Sequence, residues 1–213
     1  MVSIRSTTFD STGWNLVDQN ESCITWDNDR GEVLFKHFFP IPPDIPCPLD
    51  QLNRLRDSYR QGVSQSGGGL ISVNVVRVQG VLGTRTIFKF PQKPSGMAYV
   101  GSITFPFRDF SFVIKIQCPE LGITGVREAV VLDKLMSTGE VSIDPQKRKI
   151  HGWSQDPYDQ SYEGPSLMNR AEEIKYDAEF PDHPLSRARN FLTNITNSIS
   201  FDEEVLRAAP FTA

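Results

Sequence analysis

Alternation with a period of two dominates the middle of the chain. Residues 84–90 alternate apolar and polar side chains, 109–118 carry a strand-like split of faces, 70–78 and 97–105 are further strand-patterned runs, and short turn-rich segments such as 91–96 separate them. A two-residue period marks half-buried strands, because successive side chains point to opposite faces of the pleat. In the last run Phe110, Phe112, Ile114 and Ile116 share one side while Ser111, Val113, Lys115 and Gln117 share the other. One face is therefore core and the other partly wet, and long strands joined by short turns predict an antiparallel meander. The N-terminal 40 residues add a strand at 14–17 and a hairpin of 23–26 with 32–39, turning at 27–31. Val33, Phe35, His37 and Phe39 fall on one side of its second arm, which sets the His37 imidazole among apolar neighbours as a structural group.

Helical spacing appears in three places. Leu49, Leu52, Leu55, Tyr59 and Val63 line one side of a helix at 49–63, with Pro48 in its first turn. Val126, Ala129, Val130, Leu132, Leu135 and Met136 do the same at 125–136, with Thr124 as the cap and Gly139 as the stop. Leu185, Ala188, Leu192, Ile195 and Ile199 define the clearest helix, at 183–200, capped by Asp182 with Pro184 in its first turn. Residues 40–48 hold five prolines in nine positions and read as an extended connector. The triple glycine 67–69 precedes a strand rather than a helix and lacks the lysine and hydroxyl of a phosphate loop. Residues 140–181 are polar, acidic and loop-like, with Trp153, Tyr158, Tyr162 and Tyr176 interspersed. The pattern predicts a single α+β domain over 1–213: an αβα sandwich with a predominantly antiparallel sheet of about six strands, a polar insertion at 140–181 and a C-terminal packing helix.

A chain of 213 residues can bury a core without staples. Cys23, Cys47 and Cys118 lack CxxC spacing, and their odd number suits a reducing, cytoplasmic setting. The N-terminus has no apolar leader and no run is long enough for a membrane helix. In that setting the triplets at Asn20 and Asn194 are chance occurrences of a glycosylation pattern. A net charge of −4 without a basic stripe argues against nucleic acid.

Catalytic signatures are sparse. His151, Asp156, Asp159 and His183 could supply acid–base groups or metal ligands, yet no HxH or HxxxH pair occurs and no Gly-x-Ser-x-Gly elbow is present. Asp156-Pro-Tyr-Asp159 reads as a turn. Trp153, Tyr158, Asp159, Tyr162 and Glu163 form the candidate partner-binding set, because aromatic rings on a loop are the usual anchors of protein interfaces. The acidic residues around them would favour a basic protein partner.

Gly13-Trp14 near the first strands, the order hairpin, helix, four-strand meander and closing helix, and Ser200-Phe201 after that helix together resemble the αβα superfamily of the photosystem extrinsic protein PsbP, the Mog-type Ran-binding protein and the bacterial DcrB-like proteins. The resemblance covers residues 10–120 and 182–201; the helix at 125–136 and the loop at 140–181 depart from it. It implies a non-enzymatic binder of the adaptor or effector-chaperone kind. The leading expectation is an adaptor, effector chaperone or immunity-type protein acting through the sheet face or the 140–181 loop, and the ligand spacing and motifs give no cofactor and no metal. The competing readings are an enzyme using His151, Asp156, Asp159 and His183, and a carrier of a small apolar ligand.

Overall fold

The computed structural model describes residues 1–146 and 149–212. Its centre is a seven-stranded sheet, against the about six strands expected, with Asn15–Gln19 as one edge strand. The sheet strands are β1 (Asn15–Gln19), β2 (Cys23–Asp27), β3 (Val33–Phe39), β4 (Gly69–Val78), β5 (Val81–Pro91), β6 (Met97–Pro106) and β7 (Ser111–Pro119). They run in the order β1-β2-β3-β7-β6-β5-β4, and every neighbouring pair is antiparallel. The N-terminal hairpin therefore docks against the last strand of the meander, from Val33 opposite Gln117 to Phe39 opposite Ser111.

Three helices follow the sequence pattern closely: α1 (Leu52–Gln65), α2 (Val126–Ser137) and α3 (Pro184–Ser198). Their starts differ from expectation: α1 begins at Leu52 rather than 49, with Gln51 at its cap and Pro48 ahead of its first turn. Gly125, with φ of 76°, occupies the cap of α2 in place of Thr124, whose hydroxyl instead donates to Ser95. At α3 the cap is His183, one residue beyond Asp182, and its Nδ1 accepts the Leu185 N–H at 3.2 Å. Among the described residues no helix is long and apolar enough to cross a membrane.

The two sides of the sheet are covered unequally. Leu34, Phe38, Ile103, Phe105, Phe112, Ile114 and Ile116 point to the side where Leu185, Ala188, Leu192 and Ile195 of α3 complete the main core. Gly101 lets α3 approach, since a Cβ there would stand 2.9 Å from Leu192 Cδ1. On the opposite side α1 buries Leu55 and Val63 against Leu70 and Val73, and Tyr59 packs on Phe88 with ring centroids 5.9 Å apart. That cover reaches only β4 and β5. On β6, β7, β3 and β2 the same side keeps Val100, Ser102, Thr104, Val113, Lys115, Phe35, His37 and Cys23 half-buried.

Residues 140–181 contain short paired strands, Ser142–Asp144 with Lys149–His151 and Ser154–Gln155 with Met168–Asn169, followed by single 3-10 turns. A third apolar cluster, Val131, Leu135, Val141, Ala171 and Tyr176, ties this segment to α2.

Candidate functional site

Two places combine chemistry with accessibility: the uncovered side of the sheet and the N-terminal end of α3.

On the uncovered side, strand parity aligns Phe35, His37 and Phe39 along β3. Their rings stack in series, with centroids 5.7 Å apart for Phe35–His37 and 5.6 Å for His37–Phe39. Phe39 is 43% exposed. Cross-strand neighbours extend the surface, with Cys23 and Val113 flanking His37 and Thr25 and Lys115 flanking Phe35. The Lys115 ammonium sits 4.8 Å from the Phe35 ring centroid. Burial, and secondarily Lys115, holds the His37 pKa below its ordinary value, so the ladder is uncharged near neutral pH. The sequence placed these side chains together and made His37 structural; it did not show that they lie beyond the reach of α1, on the part of that side that no helix covers among the described residues.

At the start of α3, Glu120 from the end of β7's turn, Glu128 from α2 and His183 converge, with donor atoms within 4.8 Å of one another. Glu120 is fixed by backbone donors, accepting from Gly125 N at 2.6 Å and Met97 N at 3.1 Å. Burial raises the Glu128 pKa. Burial, followed by Arg127, Arg187 and Arg189, pushes the His183 imidazole down to about 3. A cavity of about 390 Å³ opens beside this cluster, with Glu120, His183, Arg30, Leu121 and Ile123 in its lining. Sequence reading included His183 but missed Glu120 and Glu128, which have no short spacing to it.

The four residues of the enzymatic reading are held by unrelated partners. His151 is exposed and pairs by backbone with Ser142. Asp156 is buried in a bidentate ion pair, accepting from Arg60 Nε at 2.8 Å and Nη2 at 2.9 Å. Asp159 accepts from the Ser161 hydroxyl at 2.6 Å and its N–H at 3.0 Å, bonds that lower its pKa. His183 faces Tyr99 and Glu128.

The candidate partner-binding residues of the 140–181 segment fold inward to varying degrees. Trp153 is half-buried against the cluster under α2. The Tyr158 hydroxyl accepts from Val73 N at 2.9 Å and donates to Val73 O at 3.2 Å, occupying outward backbone groups of the edge strand β4. Arg56 stacks 3.8 Å above the Tyr158 ring, and Arg60 lies 5.1 Å from that of Tyr162. Asp159 is half-buried and Glu163 is exposed. Most of the acidic groups that suggested a negative field are internally paired: Glu172 with Lys89 at 2.7 Å, Asp177 with Arg127 at 2.9 Å and Arg189 at 2.7 Å, Glu179 with Lys134 at 3.2 Å. Their charge is offset locally, which weakens the electrostatic case for a basic partner.

No family model matches the chain, and no curated protein matches it. Among solved structures the architecture is similar to the Saccharomyces cerevisiae Ran-binding protein Mog1p, at 10% identity and a TM-score of 0.48 over 94% of this chain and 93% of that one. It is also similar to cyanobacterial PsbP from Synechocystis sp. PCC 6803, at 13% identity and a TM-score of 0.39 over 62% of this chain and 82% of that one. The likeness is one of fold alone, an α+β arrangement built on an antiparallel sheet.

Proposed function

We propose that the protein is a binding module whose interface with another protein is the uncovered side of the sheet. The observation that carries this reading is the Phe35–His37–Phe39 ladder, three rings stacked on a side of the sheet that α1 leaves open. Aromatic side chains give large contact area at low entropic cost and dominate interface energetics. The partner brings apolar side chains to the ladder and a carboxylate to Lys115, because that cation is the charged group beside Phe35. Three unpaired thiols support a reducing, intracellular setting, and an adaptor or effector-chaperone role fits this surface.

Cys23 makes the test direct. It lies opposite His37 and is half-exposed, whereas Cys47 and Cys118 are buried. A maleimide-linked photo-crosslinker placed on Cys23 is expected to trap one protein in host extract, and Phe35→Ser with Phe39→Ser is expected to abolish the adduct. An adduct that survives both substitutions, or one that forms only when the label is moved to Trp153→Cys, overturns this assignment.

A second observation favours the carrier reading. A cavity of about 560 Å³, lined by Leu49, Val81, Leu82, Phe107, Leu206 and Phe211, is of a size that holds a small apolar molecule. Native mass spectrometry of protein from its host, showing a co-purifying lipid or fatty acid, would support it.

A further inference from the structure

The cluster at the start of α3 contains polar atoms that protein groups leave unused. The His183 side chain is 7% exposed, and its Nε2 stands 3.9 Å from Glu128 Oε1, too far for a hydrogen bond. His183 Nε2 and Glu128 Oε2 are both buried with no hydrogen-bond partner among the described residues. Orphaned buried polar atoms are rare in folded proteins, because each has lost water without replacing it. Here two occur side by side, and Glu120 presents a third donor group to the same point.

We propose that Glu120, Glu128 and His183 bind a divalent transition-metal cation of the zinc class. One imidazole nitrogen and two carboxylate oxygens form the mixed donor set that zinc accepts, and imidazole selects against calcium and magnesium. Metal–ligand bonds of about 2.0–2.2 Å place neighbouring donors of a tetrahedral centre roughly 3.3–3.5 Å apart. With donor atoms up to 4.8 Å apart, the cluster reaches that spacing by a contraction of up to about 1.5 Å, supplied by side-chain rotation. Glu120 is the anchored member of the set. Its oxygens are already aimed by Gly125 N and Met97 N, the kind of outer support that orients ligating carboxylates.

Two features of the surroundings bear on the cation. Arg127, Arg187 and Arg189 act on the imidazole electrostatically, yet each is held by a carboxylate: Arg127 and Arg189 by Asp177, Arg187 by Glu32. Asp177 and Glu32 thus offset two of the three guanidinium charges, and the ligating carboxylates of Glu120 and Glu128 face the cation. The Nδ1 of His183 accepts the Leu185 N–H, so the neutral ring carries its proton on Nε2. Ion binding moves that proton to Nδ1 and gives up one long cap bond. The adjoining cavity of about 390 Å³, lined by both Glu120 and His183, gives the ion and its remaining water ligands access. An ion there clamps the turn after β7 and the first turn of α2 onto the N-terminus of α3.

The test titrates the full chain with Co²⁺ as a spectroscopic stand-in, followed by displacement with Zn²⁺. The wild type is expected to take up one equivalent of Co²⁺ with visible d–d absorption, and Zn²⁺ to erase that absorption. His183→Asn keeps a side-chain cap for α3, and Glu128→Gln keeps the shape of its side chain. Each is expected to weaken binding about 100-fold or more, since even outer-shell changes cost 10- to 100-fold. His37→Asn and His151→Asn are expected to bind as the wild type does. Absence of binding by the wild type overturns the proposal, as does unchanged affinity in His183→Asn and Glu128→Gln. Loss of binding in His37→Asn or His151→Asn instead overturns it by placing the ion elsewhere. Far-UV circular dichroism confirms that each variant is folded, and if His183→Asn is not, Glu128→Gln decides.

Discussion

Replacing Asp156 by alanine removes the group that holds the 150s segment to α1. The carboxylate is 2% exposed and the Arg60 side chain 7%. Besides the two bonds from Arg60, it accepts from Tyr158 N at 2.9 Å and Asp159 N at 3.0 Å. In Asp156→Ala the guanidinium stays buried and keeps only Asp57, which pairs at 2.6 Å but is 60% exposed and so screened by water. Removing one partner of a buried pair costs about 3–5 kcal/mol, chiefly because the surviving charge is uncompensated. For a chain of this size each kcal/mol moves the thermal midpoint by about 2–4 °C, so the midpoint falls by roughly 6–20 °C. Urea denaturation monitored by tryptophan fluorescence measures the change, with an unaltered m-value expected. The double variant Arg60→Met with Asp156→Leu removes both charges and is expected to be more stable than Asp156→Ala alone, since a buried pair can be exchanged for apolar contact at little cost. A loss below about 1 kcal/mol for Asp156→Ala, the range of an exposed pair, would show that this carboxylate does not anchor the segment. So would strict additivity of the separate substitutions in the double variant.

Lys36 is buried on the core side of β3, where its ammonium donates to Thr7 O, and burial, opposed by Asp202, brings its pKa down to about 8. The unfolded chain therefore holds this proton between pH 8 and the ordinary lysine value while the folded chain releases it. Stability should rise with pH across that window by up to about 3 kcal/mol; Lys36→Met is expected to flatten this part of the profile, and an identical pH dependence in the two proteins would contradict it. Gly69→Ala would drive a Cβ to 1.9 Å from Ser166 O; accelerated limited proteolysis in residues 157–167 is the expected readout, and an unchanged digest would exclude a close packing role. Glu172 is fully buried and receives the Lys89 ammonium at 2.7 Å, the Tyr99 hydroxyl at 2.9 Å and Asn169 N at 2.7 Å. Glu172→Gln leaves Lys89 without its counter-charge and is expected to cost about 3–5 kcal/mol by urea denaturation, against which a loss under about 1 kcal/mol would count.

Strands and helices were legible because their periods are local: residues 70–118 carry the two-residue alternation and 185–199 the helical spacing, and both occur where that pattern puts them. The cap of α3 was misread by one residue because an aspartate is the commoner cap, whereas here an imidazole nitrogen takes the role. The sidedness of the sheet was not legible. Phe35, His37 and Phe39 are as apolar as the core residues of β7, and α3 docks on the Leu34–Phe38 side through contacts with strands far away in the chain. The same limit applied to the 140–181 segment, whose polar composition read as loop. Asp156 and Glu172 are buried only because Arg60 and Lys89, 96 and 83 positions away, meet them. Carboxylates in a polar stretch announce exposure unless the cation they pair with is known, and that pairing is a property of the tertiary structure. The same holds for His183, whose neighbours Glu120 and Glu128 arrive from the other side of a strand-to-helix turn. Local periodicity thus determined the frame on which side chains are hung. Which of them face water, each other or a partner follows from the few long-range pairings that close it.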